Sequence, residues 1–198
     1  MNPTLAKAAA NLKRRAGSRL PAVWLMSDAQ RLPDPEIALR TLPRGSALIL
    51  RHTKPTTLAQ LARRFAPLCK QRGLVLLIAG DWRLAAAVGA AGIHMSEQSA
   101  RAGLAPGGRL WARGRIVTAA AHGAAGLRAG KNASAVLLAP VFATKSHPGQ
   151  LGLGAAKTAA WVRSSPVPVI ALGGISTATI NTLRHSGCAG IAGISFAL

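Results

Sequence analysis

Short apolar segments alternate with longer segments of helical character along nearly the whole chain. The apolar segments are continuous runs of Val, Ile, Leu and Ala, which is typical of parallel strands buried on both faces. This pattern predicts eight strands: Ala22–Ser27, Ala47–Arg51, Leu74–Ala79, Gly92–Met95, Arg115–Ala119, Ala135–Ala139, Val167–Leu172 and Gly190–Ser195.

The segments between these strands predict helices. Leu58, Leu61, Phe65 and Leu68 recur at intervals of three or four residues, which indicates one buried helical face. The predicted helices are Pro35–Leu42, Thr57–Arg72, Trp82–Gly89, Gly123–Ala129, Ala155–Arg163 and Thr177–His185, with an extra basic helix, Pro3–Arg15, before the first strand. Few residues follow the last strand, so we expect the eighth helix to be short or absent.

The alternation of strands and helices places the chain in the α/β class. It fits either a closed (β/α)8 barrel or an open doubly wound sheet, and alternation alone does not distinguish the two. The 198 residues contain no linker or low-complexity tract, so one domain over residues 1–198 is expected.

The charge is strongly one-sided, with 25 Lys and Arg against five Asp and Glu, a net charge of +20. Such a charge favours anionic partners, either phosphorylated metabolites or nucleic acid. The basic residues are scattered over the predicted helices, and the few aromatic residues do not alternate with them as a base-stacking surface requires. A solvated basic surface is therefore favoured over specific nucleic-acid binding.

The apolar runs, the N-terminal residues and the cysteines indicate where in the cell the protein acts. No apolar run approaches the roughly 18 residues of a membrane helix, and the first 20 residues lack the apolar stretch of a signal peptide. We therefore expect a cytoplasmic protein with no membrane partner. Cys69 and Cys188 lie far apart without metal-ligand spacing, which favours two free buried thiols over a disulfide.

Glycine pairs at strand ends indicate a phosphate site. The seventh predicted strand runs directly into Gly173 and Gly174, and the eighth ends in a similar glycine-containing sequence up to Ser195. Glycines at a strand end allow backbone N–H groups to approach an anion, and the loops after strands seven and eight commonly hold phosphate in barrels. The loop Val141–Gly149 adds hydroxyls, a lysine and a histidine, which suits an anion-binding flap.

Taken together, these motifs resemble the thiamine phosphate synthase family, which also contains the thiazole tautomerases. The segments that carry the resemblance are Leu25–Asp28, Leu50–Arg51, Gly89–His94, Pro140–Phe142 with the loop after it, Leu151–Leu153, Val167–Ile175 and Gly190–Ser195. The resemblance covers about residues 22 to 197, in the family's order, as a divergent member. It implies a closed TIM-type barrel over residues 21–198, preceded by a basic helix in residues 1–20.

The resemblance also implies a reaction and a set of site residues. A thiamine phosphate synthase joins an aminopyrimidine pyrophosphate to a thiazole phosphate and releases pyrophosphate, using Mg²⁺. Arg51 matches the arginine that grips pyrophosphate and is expected to be catalytic. The residues expected to bind phosphate or substrate are Arg51, Thr118, Thr144, Ser146, His147, Gly173, Gly174, Ile194 and Ser195.

The chain departs from the family at the positions of the magnesium carboxylates. The matched residues are Gly80 and Ser99, and only Asp81 and Glu97 lie close enough in sequence to act as substitutes. A shift of one residue along a strand moves a side chain to the opposite face, so substitution requires rearranged loops. Mg²⁺ is therefore expected as a cofactor only if synthase activity is retained.

Three functions remain open. The first is thiamine phosphate synthesis with a degenerate magnesium site. The second is a metal-independent tautomerase acting on a thiazole phosphate, with His122 as the catalytic acid and base because its ordinary pKa lies near neutrality. The third is a non-catalytic binder of a phosphate ligand or of nucleic acid. His94 is interpreted as a packing residue, and a homo-oligomer is left open.

Overall fold

The computed structural model describes residues 1–32, 34–144, 149 and 151–194. In these ranges eight parallel strands are present: β1 (Val23–Met26), β2 (Ala47–Leu50), β3 (Val75–Ala79), β4 (Gly92–Met95), β5 (Ile116–Ala121), β6 (Ala135–Leu138), β7 (Val169–Leu172) and β8 (Gly190–Gly193). Each strand pairs with the next, and β8 pairs in parallel with β1. The sheet is therefore a closed barrel, as expected from the resemblance, and the open sheet is excluded.

Helices connect the strands on the outside of the barrel. They are α1 (Pro3–Arg15), α2 (Glu36–Thr41), α3 (Pro55–Arg72), α4 (Trp82–Ala87), α5 (Glu97–Ala102), α6 (Pro106–Trp111), α7 (Ala124–Ala129) and α8 (Gly154–Ser164), with 3₁₀ helices at Gly130–Asn132 and Ile180–Leu183. None of the helices in the described ranges is both long and apolar enough to cross a bilayer.

The predicted extra helix before the first strand is confirmed as α1. Asn2 caps its N-terminus by accepting a hydrogen bond from the backbone N–H of Thr4 at 2.9 Å. Leu5, Ala9 and Leu12 follow the helical repeat and are buried. They direct α1 against β1, β8 and the 3₁₀ helix Ile180–Leu183. The helix therefore covers the outer face of the barrel where its first and last strands meet.

Alternating strand residues form two separate apolar layers. Trp24, Ile49, Leu77, Leu137 and Ile170 come from five different strands and pack together inside the barrel. Their neighbours along the strands face outward and form a second layer with the buried faces of the helices. Because both faces of each strand are covered, the strands appear in the sequence as continuous apolar runs.

Three elements differ from the sequence-based prediction. The connection between β4 and β5 contains two short helices, α5 and α6, that were not predicted. Strand β5 extends to Ala121, because Ala120 and Ala121 pair with β6. The predicted helix Thr177–His185 contains only a 3₁₀ helix, because the hydroxyls of Thr179 and Thr182 bond to nearby backbone groups and compete with an α-helix. The predicted end of the eighth strand at Ser195 and any eighth helix lie outside the described residues.

Candidate functional site

The carboxyl ends of all eight strands meet at one rim of the barrel, where barrels of this class place their ligands. On one side of this rim, β7 ends in Gly173 and Gly174, with φ angles of +97° and +65°. The hydroxyl of Thr179 donates to the carbonyl of Gly174 and accepts from the N–H of Ser176, both at 2.9 Å. In the described part of the chain, the N–H groups of Gly174 and Ile175 have no acceptor. These N–H groups are therefore available to bind an anion.

Gly174 is required by a close approach as well as by its φ angle. A Cβ atom at this position would lie 2.5 Å from the carbonyl oxygen of Ala143 and 2.7 Å from Cβ of Phe142. The backbone of Val141 and Phe142 runs beside the end of β7, donating to the carbonyls of Leu172 and Gly173 at 2.9 and 3.0 Å. This contact fixes the start of the predicted flap against the glycine turn.

Thr144 lies beside the same turn. Its hydroxyl is buried and has no hydrogen-bond partner among the described residues, and its methyl carbon would lie 3.2 Å from a Cβ at Gly173. Buried polar groups are almost always paired, so an unpaired hydroxyl next to free N–H groups indicates a place for an oxyanion. The other flap residues, Ser146 and His147, lie outside the described residues.

The end of β8 adjoins this turn. Leu172 of β7 is in register with Ala192 of β8, so Gly174 and Ile194 are neighbours at the rim. This places Gly173, Gly174, Thr144 and Ile194 together, as the resemblance implies. Ser195 falls beyond the described part of the chain.

Arg51 lies across the rim, directly after β2. Its Nε donates to the carbonyl of Ser27 and its Nη2 to the carboxylate of Asp28, both at 2.8 Å. A hydrogen bond from Arg31 holds the pKa of Asp28 well below its ordinary value, so this carboxylate stays charged. The guanidinium is therefore held in place by two partners. Its Nη1 has no acceptor within the described ranges and remains available for a ligand anion.

His94 joins Arg51 in the barrel. It is buried, and its Nδ1 lies 2.9 Å from the hydroxyl of Thr118, which is fully buried. Burial, with a smaller contribution from the charge of Arg51, lowers the pKa of His94 to about 4, so the imidazole is neutral at pH 7. Thr118 supports His94 in this arrangement, and the direct substrate contact expected for Thr118 stays a prediction.

His122 follows β5 and contacts Glu97, the first residue of α5. The Nδ1 of His122 lies 3.2 Å from Oε2 of Glu97, and the backbone N–H of His122 donates to the same oxygen at 3.0 Å. The histidine side chain is 64% exposed and the glutamate 21%. Burial raises the pKa of Glu97, but hydrogen bonds from Arg101 and His122 outweigh it and hold the pKa below its ordinary value. The imidazole is thus oriented by a charged carboxylate.

The two candidate substitutes for magnesium ligands have other partners. Asp81 caps α4 by accepting from the N–H of Leu84 at 2.9 Å, while Glu97 is held by Arg101 and His122. Ser99, at the matched position, bonds to Ser96. No group of three or more His, Cys, Asp or Glu side chains in the described ranges is placed to hold a metal ion. These residues do not fit a dedicated magnesium site.

Comparison with known proteins identifies the family. The model of the family described as thiamine monophosphate synthase matches residues 27–197. The chain belongs to the thiamine phosphate synthase family. Thiamine phosphate synthases are transferases of thiamine biosynthesis, so the chain belongs to an enzyme family.

Two relatives are similar to this member of the thiamine phosphate synthase family over most of its length. A thiamine-phosphate synthase from Salinispora arenicola is 32% identical over 191 residues, covering 90% of this chain and 89% of that protein. A thiamine-phosphate synthase from Limosilactobacillus fermentum is 34% identical over 151 residues, covering 74% of this chain and 68% of that protein.

A solved structure has the same fold. The thiamine phosphate pyrophosphorylase from Pyrococcus furiosus superposes with a TM-score of 0.69 at 19% identity, covering 87% of this chain and 85% of that one. At this identity the likeness concerns the fold alone. It supports the closed barrel of this thiamine phosphate synthase family member.

The sequence did not predict every member of the rim. His94, which the sequence indicates as a packing residue, is buried with its Nδ1 against Thr118, in agreement with that interpretation. The sequence does not predict that Ser27, Asp28 and Thr179 organise the site. The only local signal was the spacing of Asp28 and Arg31, which allows a side-chain pair. The pair formed by Glu97 and His122 joins residues 25 positions apart, a contact that the sequence does not reveal.

Proposed function

We propose that this chain binds a thiazole phosphate at the barrel rim and couples it to an aminopyrimidine pyrophosphate, forming thiamine phosphate. The observation that carries the proposal is the unpaired hydroxyl of Thr144 beside the free N–H groups of Gly174 and Ile175. Among the described residues these donors have no acceptor, and such a donor set can bind the oxygens of a phosphate monoester.

The second substrate would place its pyrophosphate near Arg51. In the coupling, the bond between the pyrimidine methylene carbon and the pyrophosphate oxygen breaks, and pyrophosphate leaves with the electron pair. The thiazole nitrogen then donates its lone pair to the methylene carbon and forms the new bond. A fixed guanidinium stabilises the charge that develops on the leaving group. A neutral His94 beside Arg51 adds no charge that competes with the pyrimidine cation.

Magnesium would neutralise pyrophosphate in this reaction. The described carboxylates near the rim are paired with arginines, a histidine or a helix N-terminus, so they do not fit a metal site. We therefore assign no step to the metal. Coupling by this chain should be slow, and its rate should depend little on Mg²⁺.

The test is a direct assay of the purified full chain with both precursors. Formation of thiamine phosphate and release of pyrophosphate would be measured with Mg²⁺ and with EDTA. We expect product in both conditions at similar low rates, and loss of product in Arg51→Ala. Rapid, strictly Mg²⁺-dependent turnover would contradict the metal-independent part of the proposal. If no product forms but thiazole phosphate still binds, the chain would be a phosphate-binding protein that does not catalyse the coupling.

A second candidate is the isomerisation of a carboxylated thiazole phosphate. The observation that favours it is the pair formed by His122 and Glu97, in which the carboxylate orients the exposed imidazole as a general acid and base. Proton exchange at the thiazole ring can be followed by NMR in D₂O. His122→Ala should abolish exchange, and Glu97→Gln should reduce it while leaving synthase activity unchanged. Equal loss of both activities in His122→Ala would argue against a separate tautomerase role.

A further inference from the structure

A second cavity lies outside the barrel, between α1 and the 3₁₀ helix Ile180–Leu183. Its volume is about 240 Å³. The apolar part of its lining includes Leu12 and Ile180, and the polar part consists of Asn11, Arg15, Asn181 and Arg184. Helix α1 packs on the outer faces of β1 and β8, and the 3₁₀ helix packs against α1 and α8, so the cavity is separate from the barrel rim.

The positive charge of this cavity is not neutralised within the described part of the chain. Arg15 contacts the Nδ1 of His185 at 3.4 Å, and no carboxylate contacts Arg15 or Arg184. The acidic residues of the protein, which are only five, all bond to other groups: Asp28, Asp34, Glu36, Asp81 and Glu97. Among the described residues, no Asp or Glu side chain therefore supplies a counter-charge to this cavity, so a ligand anion could neutralise it.

The polar groups of the cavity suit an oxyanion. A guanidinium presents paired N–H donors that match the oxygens of a carboxylate or phosphate, and the Asn amides supply further donors. Leu12 and Ile180 are buried at the base of the cavity, and together with the partly exposed Ala8 they form an apolar floor that a short carbon body can contact. The volume is below the usual 300–1,000 Å³ of drug-sized pockets, which limits the ligand to a small molecule.

We propose that this cavity binds a small organic oxyanion, a phosphate or carboxylate on a short carbon body, independently of the barrel rim. The ligand would join α1 to the 3₁₀ helix, because each segment supplies one arginine and one asparagine. Binding to the folded state alone stabilises that state by mass action, so the ligand should protect α1 from local opening. This site is distinct from the proposed thiazole phosphate site.

The experiment uses the full chain carrying Gly174→Ala, which is expected to abolish phosphate monoester binding at the glycine turn of the rim. Titration calorimetry with phenyl phosphate, benzoate and inorganic phosphate would measure affinity. We expect one equivalent of phenyl phosphate or benzoate to bind and inorganic phosphate to bind at least tenfold more weakly, since it lacks the carbon body. Hydrogen exchange should show that phenyl phosphate slows exchange in α1 and not in α3.

Added variants test the assignment. Arg184→Ala and, separately, Asn181→Ala should each weaken phenyl phosphate binding, the former by tenfold or more. Arg163→Ala, which removes an equal charge from the last turn of α8, should change affinity less than twofold. Arg184→Lys keeps the charge but loses the paired donors, so it should also weaken binding. Melting temperatures near that of the parent would show that each variant is folded.

Three outcomes would overturn the proposal. Equal weakening by Arg184→Ala and Arg163→Ala would mean that the ligand responds only to surface charge. Loss of all binding in Gly174→Ala would assign the anion to the rim. Equal affinity for inorganic phosphate and phenyl phosphate would remove any role for the apolar floor. Because the parent carries Gly174→Ala, which removes the proposed phosphate site at the rim, failure of this proposal and failure of the proposed function can be distinguished.

Discussion

The two sides of the barrel rim differ in the groups that they present to a ligand. At the ends of β7 and β8, the groups available to an anion are mainly backbone N–H groups, shaped by Gly173 and Gly174. At the ends of β2 to β4, the chemistry rests on side chains, those of Arg51 and His94. The backbone side contains Gly173 and Gly174, where the resemblance implies a phosphate site, while the positions that the resemblance matches to magnesium carboxylates are Gly80 and Ser99.

The difference follows from what each side requires. A backbone donor set needs only the correct turn, which glycine supplies and which many neighbouring sequences tolerate. A side-chain site needs a particular residue at a particular position, and a neighbour one place along cannot replace it. Asp81 shows this: it follows the matched position directly, yet its carboxylate caps α4.

The largest effect is expected at the glycine turn. Gly174→Ala should lower the free energy of unfolding by roughly 2–5 kcal/mol, because the left-handed backbone is strained and the new Cβ overlaps Ala143 and Phe142. It should also abolish measurable thiazole phosphate binding. Denaturant unfolding and calorimetry would measure both.

The matched control is Gly154→Ala, at a glycine with φ of +73° and nothing within 4 Å of a new Cβ. Its cost should be about 1–2 kcal/mol, from backbone strain alone, with binding unchanged. If the two variants lost equal stability and equal affinity, the close approach at Gly174 would have no functional meaning.

The next effect concerns His94 and pH. Its pKa is about 4 in the folded protein against an ordinary 6.5, so the unfolded chain binds the extra proton first. The contribution of neutral His94 to the free energy of unfolding is fully present above about pH 6.5. It is lost as the pH falls from 6.5 toward 4, by up to about 3 kcal/mol. The free energy of unfolding measured in urea should therefore fall more steeply between pH 6.5 and 4 for the wild type than for His94→Gln. Parallel pH curves for the two proteins would refute the neutral buried state.

Arg51 comes third. Arg51→Ala should weaken pyrophosphate binding by roughly 10- to 100-fold, since hydrogen bonds to charged groups contribute about 1.5–3 kcal/mol. Arg51→Lys should recover only part of this, because a lysine cannot bond to Ser27 and Asp28 while also presenting a fixed donor. Arg128→Ala on α7 is the control of equal charge. Identical affinities for Arg51→Ala and Arg128→Ala would place pyrophosphate elsewhere.

The smallest effect is expected at Thr144, where affinity and stability should respond differently. Thr144→Val removes a buried hydroxyl without a partner, so the ligand-free protein should become no less stable, while thiazole phosphate affinity falls by about fivefold, or about 1 kcal/mol. Thr158 on α8 also has a buried unpaired hydroxyl, away from the rim. Thr158→Val should leave affinity unchanged. Unchanged affinity in Thr144→Val would show that this hydroxyl does not bind the phosphate.

Much of the fold could be predicted because strand burial leaves a direct trace in the sequence. All eight strands lie within a few residues of their predicted ranges. The apolar repeat that begins at Leu58 predicts α3, and α1 is predicted only as an extra basic helix before the first strand. The helix predicted over Thr177–His185 shows the limit of this approach. Its apolar spacing is helical, but threonine hydroxyls compete for the backbone, and a periodic pattern does not register that competition.

The site shows the same division. The glycine pair after β7 determines a turn whose N–H groups can face an anion, and this is a local property that the sequence alone contains. Closure of the barrel determines which strand ends become neighbours, so that Gly174 lies beside Ile194 and Arg51 lies against Asp28. The pairing of Glu97 with His122 depends on how α5 packs against β5. Contacts between distant residues depend on packing in three dimensions, which only the tertiary structure decides.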